Sequence, residues 1–231
     1  MKAIIAALIC AVSVFASSLV MSKGMTKIVR DRSVTVRGLS EREVDADMAE
    51  WKLSFSIGGN DLPELQNEII RGTKIVIEYL KSYGMDESDY TVLAPEITDI
   101  AMNAYLDNRD RRYRYIAKPA ILVRCGKVQQ VRKASENTLE LIGKGISVNT
   151  EYGTHVNYVF NGLNDIKPAM IEEATKNARE AAEKFARDSG SRVGKIQSAT
   201  QGLFSIDDAA TGMEYKKTVR VVTTVVYGLS D

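Results

Sequence analysis

The sequence predicts an α+β fold in which helices pack on largely antiparallel sheets. Some segments alternate apolar and polar residues with a period of two, which is typical of half-buried strands, and others repeat apolar residues at helical spacing. In both halves of the chain these segments follow in the order strand, helix, strand, strand. The composition agrees, since 45% of the 231 residues are hydrophobic and 26% are charged, as in ordinary globular proteins.

The N-terminal segment has the pattern of a secretory leader. After Lys2, an apolar run extends from Ala3 to Met21 and is interrupted only by serines. The side chains directly before Ser17 are small or medium-sized, as a signal peptidase recognises at its cleavage site. They predict Ser17 as the first residue of the mature protein. We therefore expect residues 1–22 to act as a signal peptide.

The same run is long enough to remain as a membrane anchor if it is not removed. As a helix, residues 3–21 would reach about 28 Å, roughly the thickness of a hydrocarbon core. In either case the protein is expected to be periplasmic or otherwise extracytoplasmic. A polar link over residues 23–32 then leads to a single domain predicted over 33–231.

Charge and cysteine content narrow the classes of function. Lys and Arg total 31 and Asp and Glu total 30, so the whole chain has no net field that would attract nucleic acid or an anionic membrane. Outside the leader only Cys125 remains, and it follows Ile121 and Val123 at strand spacing. We expect a buried structural thiol and no disulfide within the chain.

The first predicted elements form a pair of strands. One strand covers residues 34–38 and ends at Gly38, and an acidic connection follows over residues 41–47. Residues 51–57 then alternate strictly between apolar and polar side chains, the pattern of a half-buried strand. The sequence therefore predicts an antiparallel pair from these two strands.

Helices and a hydrophobic strand complete the first half. Asp61 is the expected helix cap, Pro63 stands in the first turn, and Gly84 is the expected stop. A further strand and then a hydrophobic strand over residues 120–125 should follow. A second helix over residues 127–143 is predicted from an apolar stripe made of Val128, Val131, Leu139 and Ile142.

The second half repeats this outline. A strand is predicted over residues 154–160, a helix beginning within residues 164–168, and a stop at Gly190. The closing strand over residues 218–227 is nearly apolar on both faces, so we expect it to be central in its sheet. The expected helix face consists of Ile171, Ala174, Ala178, Ala181, Ala182 and Phe185.

These patterns predict a diverged internal repeat. The two copies cover about residues 33–126 and 146–229 and are joined by the helix over 127–143. No linker rich in Pro or Gly separates them, so we expect them to share one core.

Residues that could carry chemistry are few. His155 is the only histidine, and its strand neighbours at a period of two are polar, so it should be a surface or interface residue. A single imidazole without Cys, Asp or Glu at ligand spacing does not predict a metal site. Nucleophile-elbow and phosphate-loop motifs are absent from the sequence. We therefore predict no catalytic residues, no metal ligands and no cofactor.

One stretch concentrates basic and aromatic side chains and is the candidate interface. Such a mixture can stack on single-stranded nucleic acid, but it equally describes an edge strand or an oligomer contact, and an exported protein meets little nucleic acid. We predict a protein interface and no nucleic-acid partner. The candidate residues are Arg109, Arg111, Arg112, Tyr113, Arg114 and Tyr115.

Several segments resemble the SIMPL-domain family, whose bacterial members include periplasmic immunogenic and oxidative-stress-defence proteins. The resemblance is carried by Val34-Thr35-Val36-Arg37-Gly38, the strand over 51–57, the Ala-rich helix over 174–182 and the closing strand over 219–228. It implies export, a role in envelope or oxidative stress, and large homo-oligomers. It carries no catalytic or ligand residue onto this chain.

Together these observations predict a non-enzymatic, exported homo-oligomer. The alternative is an extracytoplasmic module that binds a small ligand or peptide in a groove between the two halves. A solvent-open pocket lined by aromatic residues such as Trp51, Tyr158 or Phe160 would favour that alternative. A hydrolase is the least favoured class, because no base stands near a serine or cysteine in any known catalytic spacing.

Overall fold

The computed structural model describes residues 32–102, 112–149 and 155–231. In these ranges the chain forms nine β-strands in two sheets and four α-helices, which confirms the predicted α+β class. The predicted leader and nearly all of the polar link lie outside the described residues. Within the described part of the chain, no helix combines the length and apolarity that crossing a membrane requires.

The elements follow one another in nearly the predicted order. Strand, helix and two strands succeed each other in each half, as β2-α1-β3-β4 and as β6-α4-β7-β9 with a short β8 inserted. That the two halves are diverged copies stays a prediction. The bounds are β1 Ser33–Asp45, β2 Met48–Gly59, α1 Leu62–Ser82, β3 Tyr90–Asp99, β4 Tyr115–Cys125, α2 Val128–Glu136, α3 Leu139–Gly143, β5 Ser147–Val148, β6 Asn157–Val159, α4 Leu163–Asp188, β7 Arg192–Gln201, β8 Ser205–Asp208 and β9 Lys216–Ser230.

The chain divides into two compact units, each assembled from separated segments. Of the described residues, those within Met1–Glu41, Ile166–Ser205 and Arg220–Asp231 form unit 1, and those within Arg42–Asp165 and Ile206–Val219 form unit 2. Strands β1, β8 and β9 and helix α4 contribute residues to both units.

Unit 1 packs the Ala-rich helix α4 on the sheet β1-β9-β7. The helix buries a small residue at every fourth position, and the close packing of these alanines brings its backbone next to β1. A Cβ atom at Gly38 would lie only 1.8 Å from the carbonyl oxygen of Ala174. The buried alanines are Ala174, Ala178, Ala182 and Ala186, and the sheet contributes Val34, Val225 and Tyr227 to the core.

The strand β1 is longer than predicted and pairs with a different neighbour. It continues through Gly38 to Asp45, so Glu41, Glu43 and Asp45 of the expected acidic connection lie on the strand, and Asp47 lies between β1 and β2. Gly38 therefore allows the close approach of α4 and does not end the strand. The predicted antiparallel pairing of the first two strands is also wrong, because β1 pairs with β9 while β2 pairs with β4 in the other sheet. The central position predicted for β9 is confirmed.

Unit 2 contains the sheet β3-β4-β2-β5, with β6 also paired to β2. Helix α1 begins as predicted, since the carboxylate of Asp61 accepts a hydrogen bond of 3.0 Å from the backbone N–H of Glu64. It ends before Gly84, whose φ of 85° lies in the left-handed region. The ring of Phe55 on β2 is fully buried and lies against Gly72 of α1, so sheet and helix meet there.

The helix predicted over residues 127–143 is two helices. Asn137 and Thr138 interrupt it between α2 and α3, and this break changes the angular position of every following side chain. Leu139 and Ile142, predicted to be core residues, are 76% and 57% exposed, whereas Leu141 is buried.

Two details of the second half also differ from the prediction. On α4 the buried face is set by the alanine spacing, so Ala181 and Phe185 are exposed while Met170 and Ala186 are buried. Pro168 lies inside α4, which begins earlier, at Leu163. The preceding strand β6 has only three residues, and Thr154 of the predicted strand lies outside the described residues.

An ion-pair cluster at the start of β3 predicts an acid-sensitive contribution to stability. The ammonium of Lys127 donates to carboxylate oxygens of Asp86 at 2.7 Å and of Asp89 at 2.8 Å. Burial alone would raise the pKa of Asp89, but the hydrogen bonds from Lys127 and from the Asp86 backbone lower the pKa below its ordinary value. The ionised carboxylate therefore stabilises the fold above about pH 4, and this contribution is lost as the pH falls.

Replacing Lys127 by methionine should remove that contribution. We expect the melting temperature at pH 7 to fall by several degrees and to depend less on pH between about pH 5 and pH 2, because the pKa of Asp89 is no longer depressed. Thermal melts followed by circular dichroism would measure both effects. The matched control is the exposed Lys133 on α2, replaced in the same way. An unchanged dependence on pH would contradict the assignment.

Candidate functional site

Two adjoining pockets in unit 2 form the candidate site. The first, the Trp51 pocket, has a volume of about 200 Å³ and is lined by Trp51, Lys52, Leu53, Ser135, Thr138, Val148, Asn149, His155 and Val156. The second, the Arg132 pocket, has a volume of about 330 Å³ and is lined by Arg132, Ser135, Glu136, His155, Val156, Tyr158, Gly212, Glu214 and Tyr215. They share three lining residues, Ser135, His155 and Val156, which makes them neighbours on one surface.

The Trp51 pocket is lined by both apolar and polar side chains. Strand β2 presents Trp51 as a 4% exposed side chain, because alternate β2 residues point into the core cluster of unit 2. Asn149, which follows β5, is held in place by β2, since its backbone N–H donates to the carbonyl of Ser54 at 2.9 Å. Its side-chain oxygen accepts from the hydroxyl of Ser56 at 2.8 Å.

The Arg132 pocket is built by α2, β6 and the turn between β8 and β9. The guanidinium of Arg132 lies over the ring of Tyr215, 4.5 Å from its centroid. Tyr158 of β6 meets Tyr215 edge to face, with ring centroids 6.4 Å apart and planes at 79°. The turn is anchored because the backbone N–H of Ala46 donates to the carbonyl of Tyr215 at 2.8 Å.

In this pocket, the buried Nε of Arg132 has no hydrogen-bond partner among the described residues. Oε1 of Glu136 is 3.9 Å from this nitrogen, beyond hydrogen-bond distance. By contrast, Glu214 accepts from the N–H of Gly212 at 2.8 Å, and this backbone hydrogen bond helps to lower the pKa of Glu214. Burial raises the pKa of Tyr158, so its hydroxyl stays neutral at physiological pH.

Two of the residues that line both pockets, Ser135 and His155, carry polar side chains. The hydroxyl of Ser135 donates to the backbone carbonyl of Arg132 at 2.8 Å, so its proton is engaged by the helix and not by a side-chain base. His155 is exposed, as predicted, and borders both pockets. Within the described ranges, no three His, Cys, Asp or Glu residues are grouped so as to hold a metal ion.

The described part of the predicted interface is attached to the end of the unit 2 sheet. Arg114 pairs with Asp99 at 3.1 Å, and its backbone N–H donates to the side chain of Asn60 at 2.9 Å. The ring of Tyr113 lies directly over Gly58, where an added Cβ would come within 2.3 Å of it. The remaining described residues, Arg112 and Tyr115, are next to these two in the chain.

Contacts between basic and aromatic side chains recur along this stretch. Arg112 lies 5.5 Å from the ring centroid of Tyr113, and Arg114 lies 5.0 Å from that of Tyr115. Arg109 and Arg111 lie outside the described residues. These local contacts account for the alternation of Arg and Tyr, and the interface role stays a prediction.

The placement of Cys125 agrees with the prediction of a buried thiol. Its side chain is 6% exposed at the end of β4, and burial raises its pKa. A thiol with a raised pKa holds less thiolate at neutral pH and is a weaker nucleophile.

A second candidate surface is the outer edge of the unit 1 sheet. Strand β7 pairs with β9 on one side, and no other described strand pairs with it. Nine of its ten residues are exposed. Ile196 on this strand is 53% exposed, and Leu203, which follows the strand, is 95% exposed.

The sequence pointed to part of the pocket site only. Trp51 and Tyr158 were anticipated as pocket aromatics, and the structure places them in the two adjoining pockets, whereas Phe160 packs beside Gly162. Arg132 and Tyr215 were missed, because a helix residue and a turn residue 83 positions apart carry no sequence signal that they meet. The spacing of Arg132 and Glu136 on α2 was the only hint, and it describes any surface helix.

Comparison with known families gives one result for the chain. Residues 34–227 match the family model SIMPL, described as a protein of unknown function (DUF541). The match runs from the start of β1 into β9 and includes both candidate surfaces. No curated protein matches the chain.

Proposed function

Because the chain belongs to the SIMPL family, we propose that it is an exported, non-enzymatic protein that assembles into homo-oligomers and serves envelope or oxidative stress defence. Export rests on the leader pattern of residues 1–22. A non-enzymatic role is supported by the buried Cys125 thiol, whose pKa burial raises, and by the engaged hydroxyl of Ser135. Protection against oxidants would then act through assembly or binding and not through thiol chemistry.

The observation that carries the assembly proposal is the open edge of β7. An edge strand presents backbone N–H and C=O groups that a strand of another chain can pair with. Exposed Ile196 and Leu203 add apolar surface beside that edge. Along the ten residues of β7 the charged side chains are Arg192 and Lys195, and proline is absent.

Other sheet edges are better protected against pairing. In β3, Pro95 lacks a backbone N–H and cannot donate to an added strand. The register shifts both in β3, between Leu93 and Glu96, and in β7, on either side of Ile196, so the shifts do not distinguish the two edges. On β1, the side-chain amide of Asn177 donates to the carbonyl of Leu39 at 2.8 Å and occupies a backbone acceptor. This contrast favours β7 as the assembling edge.

Replacing Ile196 by aspartate should weaken self-association. An unpaired charge at the interface costs more than about 1.4 kcal/mol, so the association constant should fall at least about tenfold. Light scattering on the purified protein over a range of concentrations would measure the mass. Ile97 on β3, which is 48% exposed, replaced by aspartate is the matched control and should leave the mass unchanged.

Two results would count against this proposal. A wild-type protein that remains a monomer at high concentration would contradict assembly itself. Equal loss of mass in the Ile196 and Ile97 variants would contradict the choice of the β7 edge.

The second candidate function is binding of a small ligand in the two unit 2 pockets. The specific observation that favours it is the combination of the aromatic residues Trp51, Tyr158 and Tyr215 with Nε of Arg132, which has no hydrogen-bond partner among the described residues. Apolar surfaces with a few well-placed polar groups are typical of ligand sites. Fluorescence of Trp51 would test this function, because it is the only tryptophan of the chain.

A further inference from the structure

We propose that the Arg132 and Trp51 pockets together bind a small amphipathic carboxylate, with its carboxylate group on Arg132 and its apolar tail over Trp51. This inference rests on the second proposed function and names the chemical class of the ligand. Arg132 supplies the only guanidinium among the residues that line the two pockets.

Nε of Arg132 is a buried donor without a hydrogen-bond partner among the described residues. Buried polar groups in proteins nearly always have a hydrogen-bond partner, and the exceptions call for an explanation. Among the described residues only two buried side-chain atoms lack one, Nε of Arg132 and the hydroxyl oxygen of Thr223. Of these two residues, Arg132 borders a pocket of the candidate site. A carboxylate is the acceptor that a guanidinium binds best, through paired N–H donors.

The two carboxylates that line the Arg132 pocket, Glu136 and Glu214, do not hydrogen-bond to Nε of Arg132. Glu214 already accepts the backbone N–H of Gly212, which holds it to the turn. Glu136 stands 3.9 Å from Nε of Arg132, and its side chain is 59% exposed. It therefore acts as a loose counterion, which a ligand carboxylate would displace from the guanidinium.

The Trp51 pocket supplies apolar surface for the tail of the ligand. Val156 borders both pockets, and beyond it the Trp51 pocket offers Trp51, Leu53 and Val148 as apolar lining. Ligand pockets in proteins span about 300–1,000 Å³, and the Arg132 pocket, at about 330 Å³, lies at the lower end of that range. Lys52 and His155 add donors along the wall and no further carboxylate. A short aliphatic chain that ends in a carboxylate fits a guanidinium in one pocket and apolar residues in the adjoining one.

Three probes with the same six-carbon chain and different polar groups test this inference. Hexanoate, hexylammonium and hexanol are added to the purified full-length protein while Trp51 emission is recorded. We expect hexanoate to give a saturable change and to bind at least about tenfold more tightly than the other two, because only it pairs with the guanidinium.

Substitutions in and near the pocket locate the probe. Arg132→Gln should weaken hexanoate at least about tenfold, and Arg132→Lys should weaken it less because the charge is kept. Glu136→Gln should tighten hexanoate, because a competing carboxylate is removed. Lys133→Gln, on the adjacent exposed position of α2, is the control and should bind as the wild type does. Circular dichroism on each variant verifies the fold.

Two outcomes would overturn the inference in distinguishable ways. If all three probes bind equally and Arg132→Gln has no effect, the pockets bind a ligand but the carboxylate class is wrong. If none of the probes changes Trp51 emission, the inference fails together with the binding function on which it rests. Weaker hexanoate binding by the Glu136→Gln variant would contradict the displacement of Glu136.

Discussion

Replacing Gly38 by alanine is expected to destabilise the protein by about 3 kcal/mol or more, at the upper end of what overpacking costs. An added Cβ would lie 1.8 Å from the carbonyl oxygen of Ala174 and 2.4 Å from the backbone nitrogen of Ala178. Both atoms belong to the backbone of α4, so no side-chain rotation relieves the clash. Either α4 or β1 must move, and the buried alanine contacts of unit 1 would be lost with it.

Denaturation by urea, followed by circular dichroism, would measure this loss. Gly143 is the matched control, because an alanine Cβ there would meet no atom within 4 Å. Its replacement should change the free energy of unfolding by no more than about 0.5 kcal/mol, as surface substitutions usually do. Equal stability of the Gly38 variant and the wild type would refute the close contact of β1 with α4.

Replacing Phe55 by alanine is the second substitution with a large expected effect. Its side chain is fully buried in the core of unit 2 and packs on α1 at Gly72. Loss of the ring removes apolar contacts and leaves a cavity, which costs about 3–5 kcal/mol for a buried phenylalanine. Urea denaturation of the wild type and the variant would give the difference directly.

Gly72 supplies the control for this cavity. In the wild type an alanine Cβ at position 72 would come 2.8 Å from Cε2 of Phe55, so the substitution meets the ring. Without the ring, the same substitution should recover about 1 kcal/mol, because alanine favours the helix interior over glycine. A double-mutant cycle would reveal this coupling. Additive effects of the two substitutions would show that Phe55 and Gly72 do not pack together.

The proposed assembly and binding functions use different parts of the molecule and can be separated by experiment. The β7 edge belongs to unit 1, while both pockets belong to unit 2. The Ile196→Asp variant should therefore bind hexanoate normally, and the Arg132→Gln variant should keep the wild-type mass. Each variant thus serves as a folded control for the other function.

Local patterns in the sequence were sufficient for the fold class and for several of the elements. Alternation placed β2 and β4, the Asp61 cap and Gly84 bounded α1, and the two-sided apolar pattern of residues 218–227 correctly made β9 central. These signals depend on neighbours within one or two turns or strand repeats, which a sequence displays directly.

Strand partners, the helix break and the pocket depended on tertiary structure. Gly38 looked like the end of a strand, yet its lack of a Cβ serves the approach of a helix more than 130 residues later in the chain. Arg132 meets Tyr215 only because β6, α2 and the turn before β9 pack together in unit 2. Such contacts join residues that are distant in the chain, and periodicity reports which face of an element is buried but not which element covers it.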